Sequence, residues 1–288
     1  MGDKCLAELF VRAKFNLTNN LSYAKKGYNK ILPSWNKGLY RSQLNEKNNF
    51  ILMDTGDKIS TKKSNFSFGG KTPKYFDQHV KKSVPLYDVG QDIICKLSSF
   101  FISKNCNIYD LGCSTGTLIK KIDEYNSLKT MNFYGIDVEK NMIDLAKKKL
   151  KTCKNKINLK CADINKVKFK KSELIVSYYT IQFLKPKYRQ ALINKIYNSL
   201  NWGGAFIYFE KVRASDARFQ DLMNQIYLEY KHDIGYNEKQ VWNKSLSLRG
   251  VLEPYSTNEN MNFLKRAGFK DYMSILKYSC VEGFLAIK

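Results

Sequence analysis

The chain has 288 residues, 43% of them hydrophobic, enough for one large domain, or one domain with an appendage, around a full core. Its 49 basic and 26 acidic residues give a formal charge of +23, a field that attracts nucleic acid or anionic surfaces, although the lysines are spread along the chain without an arginine-rich block. No apolar run approaches the ~18 residues of a membrane span, no secretory signal is evident at the N-terminus, and the seven cysteines (5, 95, 106, 113, 153, 161 and 280) show neither paired spacing nor a zinc pattern. They read as reduced core or pocket residues of a cytoplasmic protein.

Residues 1–70 differ from the rest. Up to Lys74 the segment carries 14 basic and 5 acidic residues, with Tyr23, Tyr28, Trp35, Tyr40 and Phe50 between the lysines. That interleaving is compatible with gripping single-stranded nucleic acid. The competing expectation, which the composition favours, is a basic N-terminal extension that is disordered in part.

From Thr72 the pattern becomes regular. Helices are expected over Tyr75 to Lys82 and Tyr87 to Phe101, interrupted at Pro85. Asn107 to Leu111 reads as a buried strand, Gly112-Cys113-Ser114-Thr115-Gly116 as a tight turn, and the residues from Leu118 as a helix. A strand, a glycine turn and a helix N-terminus make a nucleotide-sized pocket with free N–H groups at its base. Two glycines are too few for the G-x-G-x-x-G dinucleotide fingerprint.

A second strand ends at Asp137, where a carboxylate can accept hydrogen bonds from a ribose diol. The helix Asn141 to Leu150 follows, then a third strand ending near Asp163 and Ile164. A fourth strand delivers Ser177-Tyr178-Tyr179-Thr180 to the carboxyl end of the sheet. The next helix is expected to stop at a glycine cap in Asn201-Trp-Gly-Gly204. A fifth strand, a helical insert over 214–250, one further helix and a terminal antiparallel pair complete the chain. Strands alternating with helices predict a mostly parallel, seven-stranded α/β sheet with helices on both faces, a three-layer sandwich ending in an antiparallel hairpin.

Asp110-x-Gly112-x-Ser114-x-Gly116 resembles the first motif of the Rossmann-like class I S-adenosylmethionine (SAM)-dependent methyltransferases. More specifically, residues 75–288 resemble the carboxy-S-adenosylmethionine synthase family. The resemblance is carried by Phe76-Asp77, Ser83-Val-Pro-x-Tyr87, Tyr109-Asp-Leu-Gly-Cys-Ser-x-Gly116, Thr180-x-Gln-Phe-Leu184, Leu200-Asn-x-Gly-Gly-Ala205, Glu210-Lys211, Gly235-Tyr236 and Ala267-Gly-Phe269. It implies a SAM-binding domain over 71–288 with a helical lid over 72–101. It also implies SAM contacts from Tyr87, Asp110, Gly112, Cys113, Ser114, Gly116, Asp137, Val138, Asp163, Ile164 and Tyr178, with the adenine between Asp163 and Ile164. No metal is expected.

That family combines SAM with prephenate and holds the new carboxylate with an arginine, in the service of tRNA wobble-uridine modification. Ser245 stands at the arginine's place, Lys244 precedes it and Arg249 follows four residues later; Val138 and Tyr178 replace family asparagines. An arginine fork matches a carboxylate better than a lysine does. The favoured expectation is therefore a diverged SAM-dependent methyltransferase acting on a small molecule or tRNA, with Tyr178, Tyr179, Gln182, Lys244 and Arg249 near the acceptor. Retained carboxy-SAM synthesis and a non-catalytic RNA-binding role are the alternatives. His79 and His232 read as surface or capping residues, and a homodimer is expected from the relatives.

Overall fold

In the computed structural model, residues 52–288 are described. A two-stranded ribbon comes first, β1 (Met53–Asp54) with β2 (Ser60–Thr61), followed by helices α1 (Thr72–Ser83) and α2 (Tyr87–Phe101). The sheet and its crossovers are β3 (Cys106–Leu111), α3 (Thr117–Tyr125), β4 (Met131–Asp137), α4 (Lys140–Lys149), β5 (Lys156–Cys161), β6 (Ser172–Tyr178), α5 (Pro186–Ser199) and β7 (Leu200–Lys211). Helices α6 (Ala217–Asp233), α7 (Glu238–Ser247) and α8 (Thr257–Ala267) precede the hairpin of β8 (Asp271–Tyr278) and β9 (Val281–Ile287).

The seven strands run in the order β5-β4-β3-β6-β7-β9-β8. β3 to β7 pair in parallel, while β9 lies antiparallel to both β7 and β8. Strand order reverses between β3 and β6, so their carboxyl ends form the crevice in which open α/β sheets bind ligands. Period-two alternation splits the apolar residues into two cores. Ile108, Val176 and Phe209 join Ile94, Ile119 and Ile143 from α2, α3 and α4 on one face, and Tyr109, Ile175 and Phe206 join Ile193, Ile196 and Leu264 from α5 and α8 on the other. This is the expected three-layer sandwich.

The compact unit described begins at Leu52. The backbone N–H groups of Ser64 and Phe66 donate to Leu246 and Ser247 at the end of α7, and the Asn243 amide donates to Asp54 O, which ties this segment to the insert. The aromatic–lysine run before residue 52 lies outside the described residues. The structure differs from the sequence expectation at the end of α5, which has no glycine cap. It stops at Ser199, and Leu200 is already extended at φ −71° and ψ 142°. Gly203 and Gly204 lie inside β7 beside a register shift against β6; a Cβ on Gly204 would meet the carbonyl oxygens of Asn201 and Glu173 at 3.0 Å. Gly204 serves a close strand approach and Gly203 the left-handed φ of +75° at the irregularity, and neither ends a helix.

Arg189 braces the crevice wall. Its buried guanidinium donates to the carbonyls of Gln182, Leu184 and Glu253 at 2.6–3.0 Å and stacks on Tyr255. Arg189→Met removes the guanidinium donors from all three, Gln182 O alone keeping the Glu253 N–H at 3.2 Å, and is expected to lower unfolding free energy by about 2 kcal/mol, read from chemical denaturation.

Candidate SAM site and its cationic annex

The turn after β3 is shaped by its glycines. Gly112 sits at φ +82°, and a Cβ there would lie 2.1 Å from Thr180 Oγ1 on the loop after β6. Its N–H and that of Cys113 donate to Ile136 O at 2.7 and 3.1 Å, locking the turn to β4. Gly116, at φ +78°, packs against Leu150 and Ala146 and does not line the cavity. Its role is close packing of α3 against α4.

Asp137 lies where β4 ends. Oδ2 accepts the Ser114 N–H and Oδ1 the Glu139 N–H, both at 2.9 Å. Burial raises its pKa and these backbone donors pull it back down. Asp110 is 3% exposed and accepts no hydrogen bond among the described residues. Burial, then the Asp137 charge, pushes its pKa up to about 7. Asp163 Oδ1 accepts the Asn165 N–H and side-chain amide at 2.9 Å, leaving Oδ2 without a hydrogen bond among the described residues. Val138, the residue after Asp137, is exposed, and Ile164, the residue after Asp163, is buried.

These groups open into a cavity of about 1390 Å³ lined by Tyr87, Asp110, Gly112, Cys113, Ser114, Asp137, Val138, Asp163, Ile164 and Tyr178. Ordinary ligand pockets hold ~300–1,000 Å³, so there is room for a nucleoside and a second molecule. Tyr87, Tyr178 and Tyr179 form an aromatic wall with ring centroids 4.8–6.1 Å apart. Tyr179 is held at φ +58° by its N–H bond to Phe209 O, and the Tyr178 hydroxyl donates to Tyr87 O at 2.5 Å. Burial raises the pKa of all three tyrosines, so they stay neutral.

The far end of the cavity is cationic. Lys211, Lys231 and Lys244 reach it from β7, α6 and α7. Lys231 Nζ donates to Ser83 O at 2.9 Å, and Lys244 Nζ lies 3.5 Å over the Phe66 ring. Lys211 Nζ sits 4.1 Å over the Tyr227 ring and makes no hydrogen bond among the described residues. Burial, reinforced by Lys211, lowers the Lys231 pKa to about 7; burial and Lys231 hold Lys244 well below its ordinary range. Asp57 is the carboxylate that acts on both, and it already accepts from His79 Nδ1 at 2.7 Å, from Lys82 at 3.4 Å and from the Tyr236 hydroxyl.

His79 corrects the sequence expectation. It is buried, not a surface residue, and lines the cavity. Burial and Lys244 lower its pKa to about 4. The ring is thus neutral near pH 7, and Nδ1–H donates to Asp57. Nε2 is left as an acceptor for Lys244 Nζ and the Ser83 hydroxyl, each at 3.1 Å. Three consecutive buried positions on α1, Phe76, His79 and Ser83, have the spacing of one helix face, a signal present in the sequence. His232, by contrast, is exposed at the end of α6.

The described residues hold no cluster of metal-ligating side chains, no helix long and apolar enough to cross a membrane, and only free cysteines. The pattern of a family described as a methyltransferase domain matches residues 108–204. A carboxy-S-adenosyl-L-methionine synthase of Campylobacter lari is 36% identical over 77% of this chain and 94% of its own. One from Staphylococcus epidermidis is 36% identical over 76% and 94%. The chain belongs to the carboxy-SAM synthase family. Human N-acetylserotonin methyltransferase in complex with SAM shares the fold, with a TM-score of 0.51 at 17% identity over 75% of this chain and 56% of that one.

The chain carries a methyltransferase domain, and the site fits SAM: strand-end carboxylates, a glycine turn and a buried acceptor without a donor. The three candidates for holding a carboxylate are separated in space. Ser245 is exposed on α7, and Arg249 is exposed beyond its end, although both line the cavity. Lys244 alone of the three turns inward. Gln182 lines the cavity too, but its side chain is engaged, accepting the Lys211 N–H at 2.8 Å and donating to Tyr179 O.

The buried lysine has a testable pH signature. Lys231 has a folded pKa of about 7, against ~10.4 when unfolded. Between those values the unfolded chain binds the extra proton, so this contribution to stability rises with pH. Relative to Lys231→Met, wild type is expected to gain about 1 kcal/mol per pH unit between pH 7.5 and 9, measured as paired urea curves. A constant difference would place Lys231 in water.

Proposed function

We propose that this protein makes carboxy-SAM from SAM and prephenate, with the buried lysines replacing the family arginine as the carboxylate-holding cations. The carrying observation is the annex itself. Lys231 and Lys244 share one acidic partner, Asp57, that is already committed to His79 and Tyr236, and burial lowers the pKa of Lys211 beside them with no carboxylate among the described residues acting on it. Buried cations without a counterion are unfavourable, and a carboxylate supplies one.

In this reading Asp137 holds the ribose diol and Asp163 the adenine amino group, with Val138 and Ile164 against the ring. SAM supplies a methyl carbon whose C–H bonds the sulfonium acidifies, so that after losing a proton it can bond the carboxyl carbon given up by prephenate. The chain's part is to orient it, exclude water behind the Tyr87, Tyr178 and Tyr179 wall, and fix the second substrate's charge. Lys244, hydrogen-bonded to neutral His79, gains affinity for its proton when an anion arrives. Use of the product in tRNA modification, and a cytoplasmic place for it, are supported by the family, by the +23 charge and by the unpaired cysteines.

The exposed Ser245 favours a second reading, methyl transfer to an anionic acceptor, because the arginine fork is missing. Incubation with SAM and prephenate, followed by mass spectrometry, separates the two. Carboxy-SAM is expected. Unchanged SAM with prephenate, together with methylation of another acid, would favour the second reading.

A further inference from the structure

Gln91 lies on α2, one turn after Tyr87, and is 1% exposed. Its Oε1 is buried and has no hydrogen-bond partner, one of two such side-chain atoms among the described residues. Gly90 lets α2 come down onto the sheet at this point; a Cβ there would sit 2.5 Å from the Tyr178 hydroxyl oxygen. A hydrogen bond from Gln91 to the Tyr87 hydroxyl partly offsets the effect of burial on that group. The side chain lines the cavity with Tyr87 and Asp110.

Two acceptors therefore lack donors at this inner end of the cavity, the Asp110 carboxylate and Gln91 Oε1. Their surroundings are apolar: Ile94 is fully buried, and Phe209 and Tyr178 meet edge to face with ring centroids 5.1 Å apart. A native interior seldom leaves a buried acceptor unpaired, so the pair points to a ligand rich in N–H groups and positive charge. SAM has one such donor-only cation, its α-ammonium group. The ribose and adenine ends would be held at the other edge, by Asp137 and Asp163.

We propose that Gln91 is a positioning residue for the amino-acid arm of SAM, its Oε1 accepting from the α-ammonium group beside Asp110. The assignment rests on the SAM reading of the site. It fixes the sulfonium by its short arm, while the strand-end carboxylates fix it by the nucleoside.

The test is calorimetric titration of the full chain with SAM and with 5′-methylthioadenosine, which keeps the nucleoside and sulfur but lacks the amino-acid arm. Gln91→Leu is expected to weaken SAM about tenfold and leave methylthioadenosine within about twofold. Gln91→Glu, which restores an acceptor, should recover SAM affinity. Equal weakening of both ligands would show a merely structural role and overturn the assignment. Unchanged SAM affinity would overturn it as well, assigning Oε1 to a buried water. A wild-type chain that binds neither ligand would overturn the SAM site itself, an outcome distinct from failure of the Gln91 assignment alone.

Discussion

Asp137→Ala is expected to lower SAM affinity about 100-fold. Two hydrogen bonds from a ribose diol to a half-buried carboxylate are together worth about 3 kcal/mol, and 1.4 kcal/mol is a factor of ten. The carboxylate also organises the site, since it accepts the Ser114 and Glu139 N–H groups at 2.9 Å. Alanine leaves both donors unpaired and loosens the turn that SAM must meet. Asp137→Asn separates the two effects. Its amide can accept one N–H but turns a donor towards the other, so affinity should still fall at least about tenfold while stability falls less than in alanine. Because burial raises the Asp137 pKa, SAM binding should weaken on acidification earlier than an ordinary carboxylate would dictate. Calorimetry across pH reads all three. Full affinity in Asp137→Ala would place the ribose elsewhere.

Gly112→Ala should be more damaging to the fold than any other single methyl added in the turn. The residue lies at φ +82°, where an L side chain adds ~1–2 kcal/mol of strain. The new Cβ would lie 2.1 Å from Thr180 Oγ1 and 2.5 Å from its Cγ2, and overpacking of this kind costs ~1–3 kcal/mol. Together they predict a loss of about 4 kcal/mol, with SAM binding abolished. Adding Thr180→Gly removes the clash but not the backbone strain, so the double variant should recover about half the lost stability. Thermal denaturation and SAM titration of the three proteins check it. Equal stability of wild type and Gly112→Ala would mean that the β3 and β6 ends are not pressed together here.

The strand-end part of the cavity was legible because its signals are local. A carboxylate at a strand end, two glycines in a five-residue turn and an interrupting proline each announce themselves within a few residues, and the structure places nearly all of them on the cavity. Gly116 is the exception; its missing Cβ makes room for Leu150 and Ala146, which no local pattern shows. The cationic annex was not legible for the opposite reason. Asp57 meets Tyr236 across 179 positions, and Lys244 meets His79 across 165. Each lies in a stretch that reads as polar surface, and only tertiary packing buries them. The ribbon that carries Asp57 falls inside what composition marks as a basic extension. Glycines 203 and 204 misled because a helix cap and a strand irregularity use the same residue for the same conformational freedom.

The most direct test of the whole account is calorimetric comparison of SAM with carboxy-SAM on the purified chain, repeated on Lys231→Met and Lys244→Met. A carboxylate received by buried ammonium groups should make carboxy-SAM the tighter ligand by at least about tenfold, and each lysine variant should erase most of that preference while leaving SAM affinity nearly unchanged. Equal affinity for the two ligands in wild type would contradict the assignment of the annex as a carboxylate site.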